Sequence, residues 1–531
     1  MKGSNKIYLD SFGGKLSKII LSFSMFFLII ILSNYDVYFD NSIIYVLLSS
    51  LEGAFLFNIL LFSKKEFIFN KKILVISFLI STYALKWFLD LKYMKFDFIL
   101  KSLKFNSITN IVVFSIGILA LPACLFISYL FMDMVFPKVK SFLKKLDKIE
   151  KKYLLIVGVV STILTIIICS MTIAFTSLSD VIYTSDSGIL AFQDAFVNFS
   201  HPENDIRQPL FGVFALPFGL IAHFLSSFFF MQKGICYQVI MIIIQFLLNA
   251  ISTIMLCRLL KLDDKYKKYF YLLFSISFPY LIFGFILEQY SIALFYLILS
   301  IYISFVYKGI NYSYIAATGT LLTSGIVFPL ITKFKTLKQW FKDMLNCAFS
   351  FLVVLIFSGQ SIQLLALKYK MVSLSTFYGN VSFEDKIFRF SNFISSIFIG
   401  TNGSVVNVEG NLAYRLVEPS GINYVGLCIF GLLIISFILN RKDRMAKISF
   451  LWVLFSILVL VLIGWGQPEN GLILYGLYFA WAYLILYFMF WKKILKNIKL
   501  FKIVMSFSII LMLIFNVIEL LKILSFAIKV Y

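Results

Sequence analysis

Stretches of roughly 20 apolar residues recur along the whole chain, and short polar segments separate them. A helix of that length crosses the hydrocarbon core of a bilayer, which is about 30 Å thick. Hydrophobic residues make up 61% of the chain and charged residues only 14%, so a water-soluble fold could not bury the apolar surface. The sequence therefore predicts an all-α polytopic membrane protein and excludes soluble, fibrous and disordered classes. The candidate stretches are residues 17–33, 43–63, 73–90, 110–136, 154–177, 209–230, 236–257, 269–287, 289–307, 312–331, 346–366, 424–440, 448–464, 471–491 and 503–523.

The formal net charge of +22 raises the question of a nucleic-acid partner, because basic patches attract phosphate. The lysines, however, form short clusters between apolar stretches, which is typical of the positive-inside rule and of attraction to anionic leaflets. We therefore predict membrane lipids, and no nucleic acid, as partners of these charges. The six cysteines lie in or beside apolar runs without paired spacing, which indicates core packing.

The segment Lys138–Lys152 sets the predicted orientation of the chain. It holds seven lysines, and short lysine-rich loops lie on the cytoplasmic side of a membrane. Residues 178–208 would then lie outside, where five acidic residues face Arg207 alone. The same rule predicts a cytoplasmic N-terminus, and the Ile-, Lys-, Phe- and Asn-rich usage indicates a bacterial cell membrane.

Two of the apolar stretches, 209–230 and 312–331, are predicted not to cross. If both crossed, the basic residues of Arg258–Lys308 would lie outside, against the positive-inside rule. Both stretches also contain helix breakers, among them Pro217 and Pro329. We predict an interfacial helix for the first, a re-entrant pair of half-helices for the second, and about 13 transmembrane helices in all.

This topology divides the chain into three predicted parts. Residues 1–153 form an N-terminal membrane extension of four helices, and residues 154–500 form the core. Two substantial outer loops belong to that core, 178–208 and 367–423, and residues 501–531 form a C-terminal transmembrane helix. Chemistry is expected at the outer face, because the acidic residues collect there.

Four segments of the core carry a resemblance to a known family. They are Thr184–Gly188, Arg207–Phe211, Gly284–Tyr290, and Ala317–Gly325 with Pro329. The first places Asp186 just beyond a predicted membrane exit, and the third places Glu288 ahead of an apolar helix. In these features residues 154–500 resemble the GT-C superfamily of membrane glycosyltransferases, which use polyprenyl-phosphate-linked sugars. Many members have two adjacent acidic residues where this chain has Asp186 alone between serines.

The resemblance implies transfer of a sugar from a polyprenyl-phosphate donor to an envelope glycan, polymer or lipid at the outer face, with inversion. Such transfer needs a base for the acceptor proton and positive charge for the departing phosphate. Asp186 would be the base, Arg207 and Lys233 would bind phosphate, and Glu288 would position a hydroxyl. The resemblance leaves open whether a divalent cation, Mg²⁺ or Mn²⁺, takes part, with Asp186 and Glu288 as its ligands.

Other interpretations stay open at this point. Ser-Asp-Ser-Gly is also good turn chemistry, and acidic loop residues are usually solvated. A lipid-linked oligosaccharide flippase or transporter would instead place broken helices and ionisable residues at the bilayer midplane. A polysaccharide polymerase or ligase would depend on Arg389 and Arg415 in the second outer loop. With only His201 and His223 in the chain, a His-based metal cluster is not expected, and His223 is predicted to be interfacial.

Overall fold

The computed structural model of the chain describes residues 4–8, 12–33, 42–62, 66–102, 108–198, 207–229, 233–306, 312–326, 336–361, 381–400, 403–408, 410–417, 420–464 and 472–531. These residues form two compact units. The first contains residues 1–146, 195–220 and 345–367. The second contains residues 147–194, 221–344 and 368–531.

Helices dominate the described chain. The first are α1 (Phe12–Leu32), α2 (Ser42–Phe62), α3 (Lys71–Ser102), α4 (Ile108–Lys144), α5 (Lys148–Met171), α6 (Ser187–Gln193), α7 (Phe211–Ser226), α8 (Lys233–Leu259) and α9 (Asp264–Ile276). They are followed by α10 (Phe278–Phe285), α11 (Tyr290–Val306), α12 (Ser313–Thr320), α13 (Leu337–Phe357), α14 (Phe383–Ser396), α15 (Tyr424–Asn440), α16 (Arg444–Ile457), α17 (Gly476–Ile494) and α18 (Ile498–Val530). Two antiparallel strand pairs complete the described elements: β1 (Ser4–Tyr8) pairs with β2 (Glu66–Asn70), and β3 (Gly403–Val408) forms a hairpin with β4 (Asn411–Leu416).

Nine helices within the described ranges are long and apolar enough to cross a membrane. The bent pair α9 and α10 would add a tenth, and α2, α7, α11 and α15 are shorter apolar helices. The prediction of an all-α polytopic membrane protein is therefore confirmed. Within the parts of the chain that are described, strands are limited to these two short two-stranded sheets.

The first unit is built on α1 to α4. Its apolar core is formed by facing residues of these helices, including Ile29, Phe57 and Phe126. The first half of α7 and Phe357 at the end of α13 pack against that core. Ser24 Oγ accepts a hydrogen bond from the Ala123 N–H at 2.9 Å, so polar atoms between these apolar helices are paired, as a lipid environment requires.

The second unit is built around α17, which is buried along most of its length. Trp452 of α16 donates its indole N–H to the carbonyl of Tyr478 at 2.9 Å. Ser436 of α15 donates to the carbonyl of Leu486 at 2.6 Å. These bonds fix the neighbouring helices to α17 with polar atoms that lie away from lipid.

The apolar stretch 269–287, predicted as one span, is two helices bent by 56°. Ser277 ends α9 and precedes α10 with extended backbone angles of φ −59° and ψ 141°. Pro279 lies in the first turn of α10, where its missing N–H is tolerated. The break leaves the Ile276 carbonyl without a helical partner, and Asn516 Nδ2 donates to it at 2.6 Å. The stretch is therefore not one continuous helix, because Pro279 starts a new helix inside the apolar run, and whether the bent pair forms one span stays a prediction.

The two stretches predicted not to cross differ from each other in structure. Residues 211–226 form one continuous helix, α7, with Pro217 inside it. In 312–331 the short helix α12 ends at Leu321, and a single 3₁₀ turn follows over Leu322–Ile326. Pro329 lies outside the described residues. Short broken helices are thus present in the second stretch, and the depth of both in a bilayer stays a prediction.

The second outer loop, 367–423, contains secondary structure that was not predicted. It includes α14 and the hairpin formed by β3 and β4. The three valines of Gly-Ser-Val-Val-Asn-Val suit an extended strand. Gly410, with φ 90°, forms the turn that joins the two strands. A loop long enough to look unstructured therefore carries two elements of its own.

Ion pairs join the first residues of α5 to α8 and α9 in the second unit. Arg258 makes two hydrogen bonds to Glu150, of 2.8 and 2.6 Å, and Lys267 donates to Asp147 at 2.6 Å. Asp147 and Glu150 also form a capping box at the start of α5. Burial alone would raise the pKa of Asp147, but the hydrogen bond from Lys267 and those from the backbone hold that pKa below its ordinary value.

Candidate functional site

The loop between α5 and α6 has an unusually constrained backbone. Asp180, Tyr183 and Thr184 have φ values of 62°, 49° and 60°, and Asp194 at the end of α6 has 50°. Among the described non-glycine residues only Lys261 also has a positive φ. Each such residue costs on the order of 1–3 kcal/mol and persists only where its surroundings hold it, and such residues cluster at functional sites.

The second outer loop holds this backbone in place. The Tyr183 N–H donates to the Tyr414 carbonyl at 3.0 Å, and the Tyr414 N–H donates to the Val181 carbonyl at 2.7 Å. Arg415, next to Tyr414 on β4, donates from a guanidinium nitrogen to the Asp180 carbonyl at 3.0 Å. The two outer loops that are distant in sequence are therefore joined, and Arg415 lies beside the loop that carries Asp186.

Asp186 immediately precedes α6 and is half-buried. Its backbone N–H donates to Glu288 Oε1 at 2.7 Å, and its carbonyl accepts from the Leu190 N–H at 2.9 Å. Gly188 follows in the first turn of α6, where a Cβ atom would lie 2.8 Å from Ser179 N and 2.9 Å from Ser177 O. Position 188 therefore requires glycine, because the backbone of residues 177–179 passes against it.

Glu288 is fully buried in the short connection between α10 and α11. Its backbone N–H donates to Gln245 Oε1 at 2.9 Å, and its Oε2 atom accepts from the Gln289 N–H at 3.3 Å. Gln245 of α8 is itself fixed, since its Nε2 donates to the Ile286 carbonyl at 2.8 Å. Glu288 thus receives backbone N–H groups at both oxygens, and its position in the fold is set by a buried chain of hydrogen bonds.

Glu519 of α18 is a second buried carboxylate that supports the same loop, and this role was not predicted from the sequence. Its Oε1 atom accepts from Tyr183 Oη at 3.2 Å, from Tyr414 Oη at 2.8 Å and from the Gly403 N–H at 2.9 Å. Burial, and then the nearby charge of Glu519, raise the pKa of Tyr183 well above its ordinary value. A glutamate inside an apolar span was the signal that could have identified this position.

Asn516, one turn before Glu519 on α18, holds the backbone that leads into β3. Its Oδ1 atom accepts from the Gly400 N–H at 2.6 Å, and its Nδ2 atom donates to the Phe398 carbonyl at 2.9 Å. The same amide also donates to Ile276 at the bend between α9 and α10. Residues three apart lie on one face of a helix, so α18 supports both outer loops through a single polar face.

The far end of α6 is anchored by a buried cluster of Asp194, His223 and Tyr237. Asp194 Oδ2 contacts His223 Nε2 at 2.5 Å, and Asp194 Oδ1 accepts from Tyr237 Oη at 2.6 Å. The His223 and Tyr237 rings stack with centroids 4.1 Å apart. His223, predicted to be interfacial, is instead a buried partner of Asp194. The pairing was not visible in sequence because its members come from three separate elements.

The remaining predicted phosphate-binding residues have different positions. Arg207 is half-buried in the turn before α7 and belongs to the first unit, whereas Asp186 belongs to the second. Lys233 begins α8, and its side chain lies outside the described residues. Arg389 is half-buried on α14. The contacts described above bring Asp186 together with Glu288 and bring Arg415 to the Asp186 loop.

A protein-bound cation would need several suitable ligands in one place. Over the described ranges, no group of three or more His, Cys, Asp and Glu residues is arranged to hold a metal ion. Glu288 is poorly suited to ligation, because it is fully buried and both of its oxygens accept backbone N–H groups. Of the two residues predicted as cation ligands, these contacts leave only Asp186 as a candidate.

Comparison with known proteins does not identify a function for this site. No protein-family model, curated protein or solved structure matches the chain. The resemblance to the GT-C superfamily therefore rests on the sequence motifs around Asp186 and Glu288 and stays a prediction. The contacts of the Asp186 loop are structural observations that hold independently of that resemblance.

Proposed function

We propose that the protein is a membrane glycosyltransferase that moves a sugar from a polyprenyl-phosphate-linked donor to a cell-envelope glycan, polymer or lipid. The observation that carries this proposal is the placement of Asp186. Asp186 is half-buried at the end of a strained loop, and its backbone N–H is held by the buried Glu288. A carboxylate on a backbone that is held in this way suits a base that meets a lipid-linked substrate.

In the proposed reaction an acceptor hydroxyl attacks the anomeric carbon of the donor sugar from the side opposite the phosphate. A new bond forms between that carbon and the acceptor oxygen, and the bond to the phosphate oxygen breaks. The electron pair leaves with the polyprenyl phosphate, and Asp186 takes the hydroxyl proton. In-line displacement of this kind inverts the sugar configuration. A positioned carboxylate base is worth about 10²–10⁴-fold in rate.

Positive charge would stabilise the departing phosphate in this reaction. Arg207 and Lys233 stay the residues proposed for that role from the resemblance. A bound Mg²⁺ or Mn²⁺ would supply further charge stabilisation, and Asp186 with the donor phosphates would be its ligands. Glu288 acts in the proposal as a positioning residue that holds the Asp186 backbone.

The proposed topology supports access from the outer face. It has about 13 transmembrane helices and a cytoplasmic N-terminus in a bacterial plasma membrane. Residues 154–500 form the GT-C-like core, and a four-helix extension at residues 1–153 precedes it. The nine long apolar helices, the bent pair and the shorter apolar helices supply enough candidate spans for this arrangement. The lysine-rich segment Lys138–Lys152 supports the orientation.

The test uses purified full-length protein in liposomes with a panel of polyprenyl-phosphate hexoses and N-acetylhexosamines, and an envelope-glycan fraction as acceptor. Released polyprenyl phosphate is measured for wild type, Asp186→Asn and the control Asp343→Asn, which alters a half-buried carboxylate on α13. We expect wild type and the control to consume one donor, and Asp186→Asn to be about 10²–10⁴-fold slower. Full activity in Asp186→Asn would contradict the base assignment. Movement of intact donor across the bilayer without release would favour the flippase.

A polysaccharide polymerase or ligase is the second candidate, because Arg415 of the second outer loop reaches the first loop at Asp180. In that enzyme Arg415 and Arg389 would bind the lipid-linked polymer, and Asp186 would be dispensable. Arg415→Gln and Arg389→Gln would then each abolish transfer, while Asp186→Asn would stay active. The glycosyltransferase proposal predicts the opposite order, with Asp186→Asn the most damaging of the three variants.

A further inference from the structure

An open groove separates the β3–β4 hairpin from the C-terminal part of α18 in the second unit. Its volume is about 650 Å³. Its walls come from Val405 and Tyr414 of the hairpin and from α18, which contributes among others Ile518, Leu521, Lys522 and Lys529. The Tyr414 and Phe526 rings pack with centroids 5.8 Å apart, and Tyr531 Oη donates to the Leu412 carbonyl at 2.6 Å. These contacts fix the helix end and the hairpin to one another, so the groove is a built feature.

The depth of the groove follows from the charges on α18. Lys502 and Lys522 are twenty residues apart in one continuous helix, which at about 1.5 Å per residue is about 30 Å. That distance equals the usual thickness of the hydrocarbon core. In a bilayer crossed by α18 between these two lysines, Lys522 lies near the boundary between acyl chains and headgroups, at the membrane face opposite Lys502. Lys529 is two turns further along the same helix face, about 10 Å deeper into the headgroup layer.

The apolar walls of the groove are open to the membrane side. Ile518 is 46% exposed, Leu521 58% and Val405 51%. Large apolar side chains left open at this depth contact lipid chains when the protein is in a bilayer. The charged wall residues are both lysines, and no acidic side chain lines the groove among the described residues. The groove thus offers an apolar wall for an acyl chain and two positive charges for a phosphate.

We propose that this groove binds an anionic phospholipid, with the lipid phosphate between Lys522 and Lys529 and an acyl chain along Ile518 and Leu521. Lysine at the membrane surface is attracted to anionic lipid, and its methylene chain covers neighbouring apolar surface. Ser525, between the two lysines, adds a hydroxyl donor at the same face. The inference concerns lipid binding and does not depend on sugar transfer.

The bound lipid would also bear on the Asp186 loop. Lys522 Nζ lies 3.5 Å from Glu519 Oε2, and Glu519 Oε1 accepts hydrogen bonds from Tyr183 and Tyr414. Tyr414 lines the groove on its other side. A lipid phosphate at Lys522 therefore lies against the residues that hold the loop, and its binding stabilises the hairpin and the end of α18 together.

The experiment measures lipid retention and thermal unfolding of the purified full-length protein. Phosphatidylglycerol and phosphatidylcholine with the same acyl chains are added back to delipidated protein, and inorganic phosphate is added in a third arm. The variants are Lys522→Gln/Lys529→Gln, the charge-preserving Lys522→Arg/Lys529→Arg, and the control Lys499→Gln/Lys502→Gln at the other end of α18. All four proteins are compared at the same salt concentration.

We expect phosphatidylglycerol to be retained by wild type, by the arginine variant and by the control, and to raise their unfolding temperature. The double glutamine variant should bind it about 25-fold more weakly, at about fivefold per lysine. Equal retention by the double glutamine variant, equal loss in the control, or no preference over phosphatidylcholine would overturn the proposal. Stabilisation by inorganic phosphate alone would show a phosphate site without a lipid role and would overturn it as well.

Discussion

The backbone N–H of Asp186 donates a hydrogen bond to the Oε1 atom of Glu288 at 2.7 Å, across 102 residues of sequence. Glu288 is buried and is itself held by Gln245 of α8. Asp186 is therefore fixed through its backbone, and the residue is half-buried. In the proposed reaction, Glu288 supports the backbone and Asp186 acts as the base.

Removing the Glu288 carboxylate should displace Asp186. Glu288→Ala leaves the N–H groups of Asp186 and Gln289 without their acceptor, at about 1–3 kcal/mol each, and Glu288→Gln keeps one acceptor oxygen. We expect donor turnover and unfolding temperature to fall in the order wild type, glutamine, alanine. Both are measured beside the control Glu384→Ala, which alters an exposed glutamate in the first turn of α14. Equal values for wild type and the alanine variant would refute the supporting role.

Gly188→Ala should destabilise the loop although alanine favours helices. The new Cβ atom would lie 2.8 Å from Ser179 N and 2.9 Å from Ser177 O, and backbone atoms cannot move aside easily. Gly431→Ala on α15 is the matched control, because nothing lies within 4 Å of its added Cβ, and it should gain about 0.4–1 kcal/mol. Thermal unfolding compares the two variants. An unfolding temperature for Gly188→Ala at or above the wild-type value would contradict the steric argument.

Loss of the Asp194 carboxylate should destabilise the end of α6 more than loss of either single hydrogen bond. Asp194→Ala leaves His223 and Tyr237 buried without this partner, at about 1–3 kcal/mol per group, whereas Tyr237→Phe removes one bond worth about 0.5–1.5 kcal/mol. We expect the unfolding temperature to fall further in Asp194→Ala. Tyr424→Phe, at an exposed position of α15, serves as the control. A larger effect of Tyr237→Phe would show that Asp194 does not organise the cluster.

The stability of the second unit should fall at acidic pH, as Asp147 binds a proton. The pKa of this carboxyl is lowered in the folded protein, so unfolding allows it to bind a proton more readily. Its stabilisation is present above the unfolded pKa of about 3.9 and is lost as the pH falls through the lower folded pKa. Unfolding temperatures measured between pH 6 and pH 2 should fall less steeply in Asp147→Asn than in wild type. An identical slope in both proteins would show that the Lys267 contact is not maintained in solution.

The sequence predicted much of the helical architecture, because apolar runs long enough to cross a bilayer leave helices as the main solution for their backbone groups. It did not predict the bend at Ser277, where Asn516 accommodates the break from a helix more than 200 residues later. The β3–β4 hairpin was also missed, since its residues lie in a long polar segment without an apolar run. Pairing with Tyr183 and Val181 supplies the partner that those strands need.

The sequence identified candidate residues more readily than it identified the contacts between them. Asp186 and Glu288 were identified because acidic residues at the ends of apolar stretches are conspicuous, but their contact depends on the fold of α8 and α10. Glu519 was overlooked because it lies within an apolar run, and its three donors come from Tyr183, Tyr414 and Gly403 in distant segments. Long-range hydrogen bonds of this kind leave no local pattern in a sequence.

The most direct measurement is the rate of polyprenyl-phosphate release by Asp186→Ala with and without added formate. Removal of the base should slow release by about 10²–10⁴-fold, and formate should restore part of the rate by supplying a carboxylate in the vacated space. Formate should not restore Glu288→Ala, because that variant loses a support for the backbone. A rate for Asp186→Ala equal to that of the wild type would contradict the proposed mechanism.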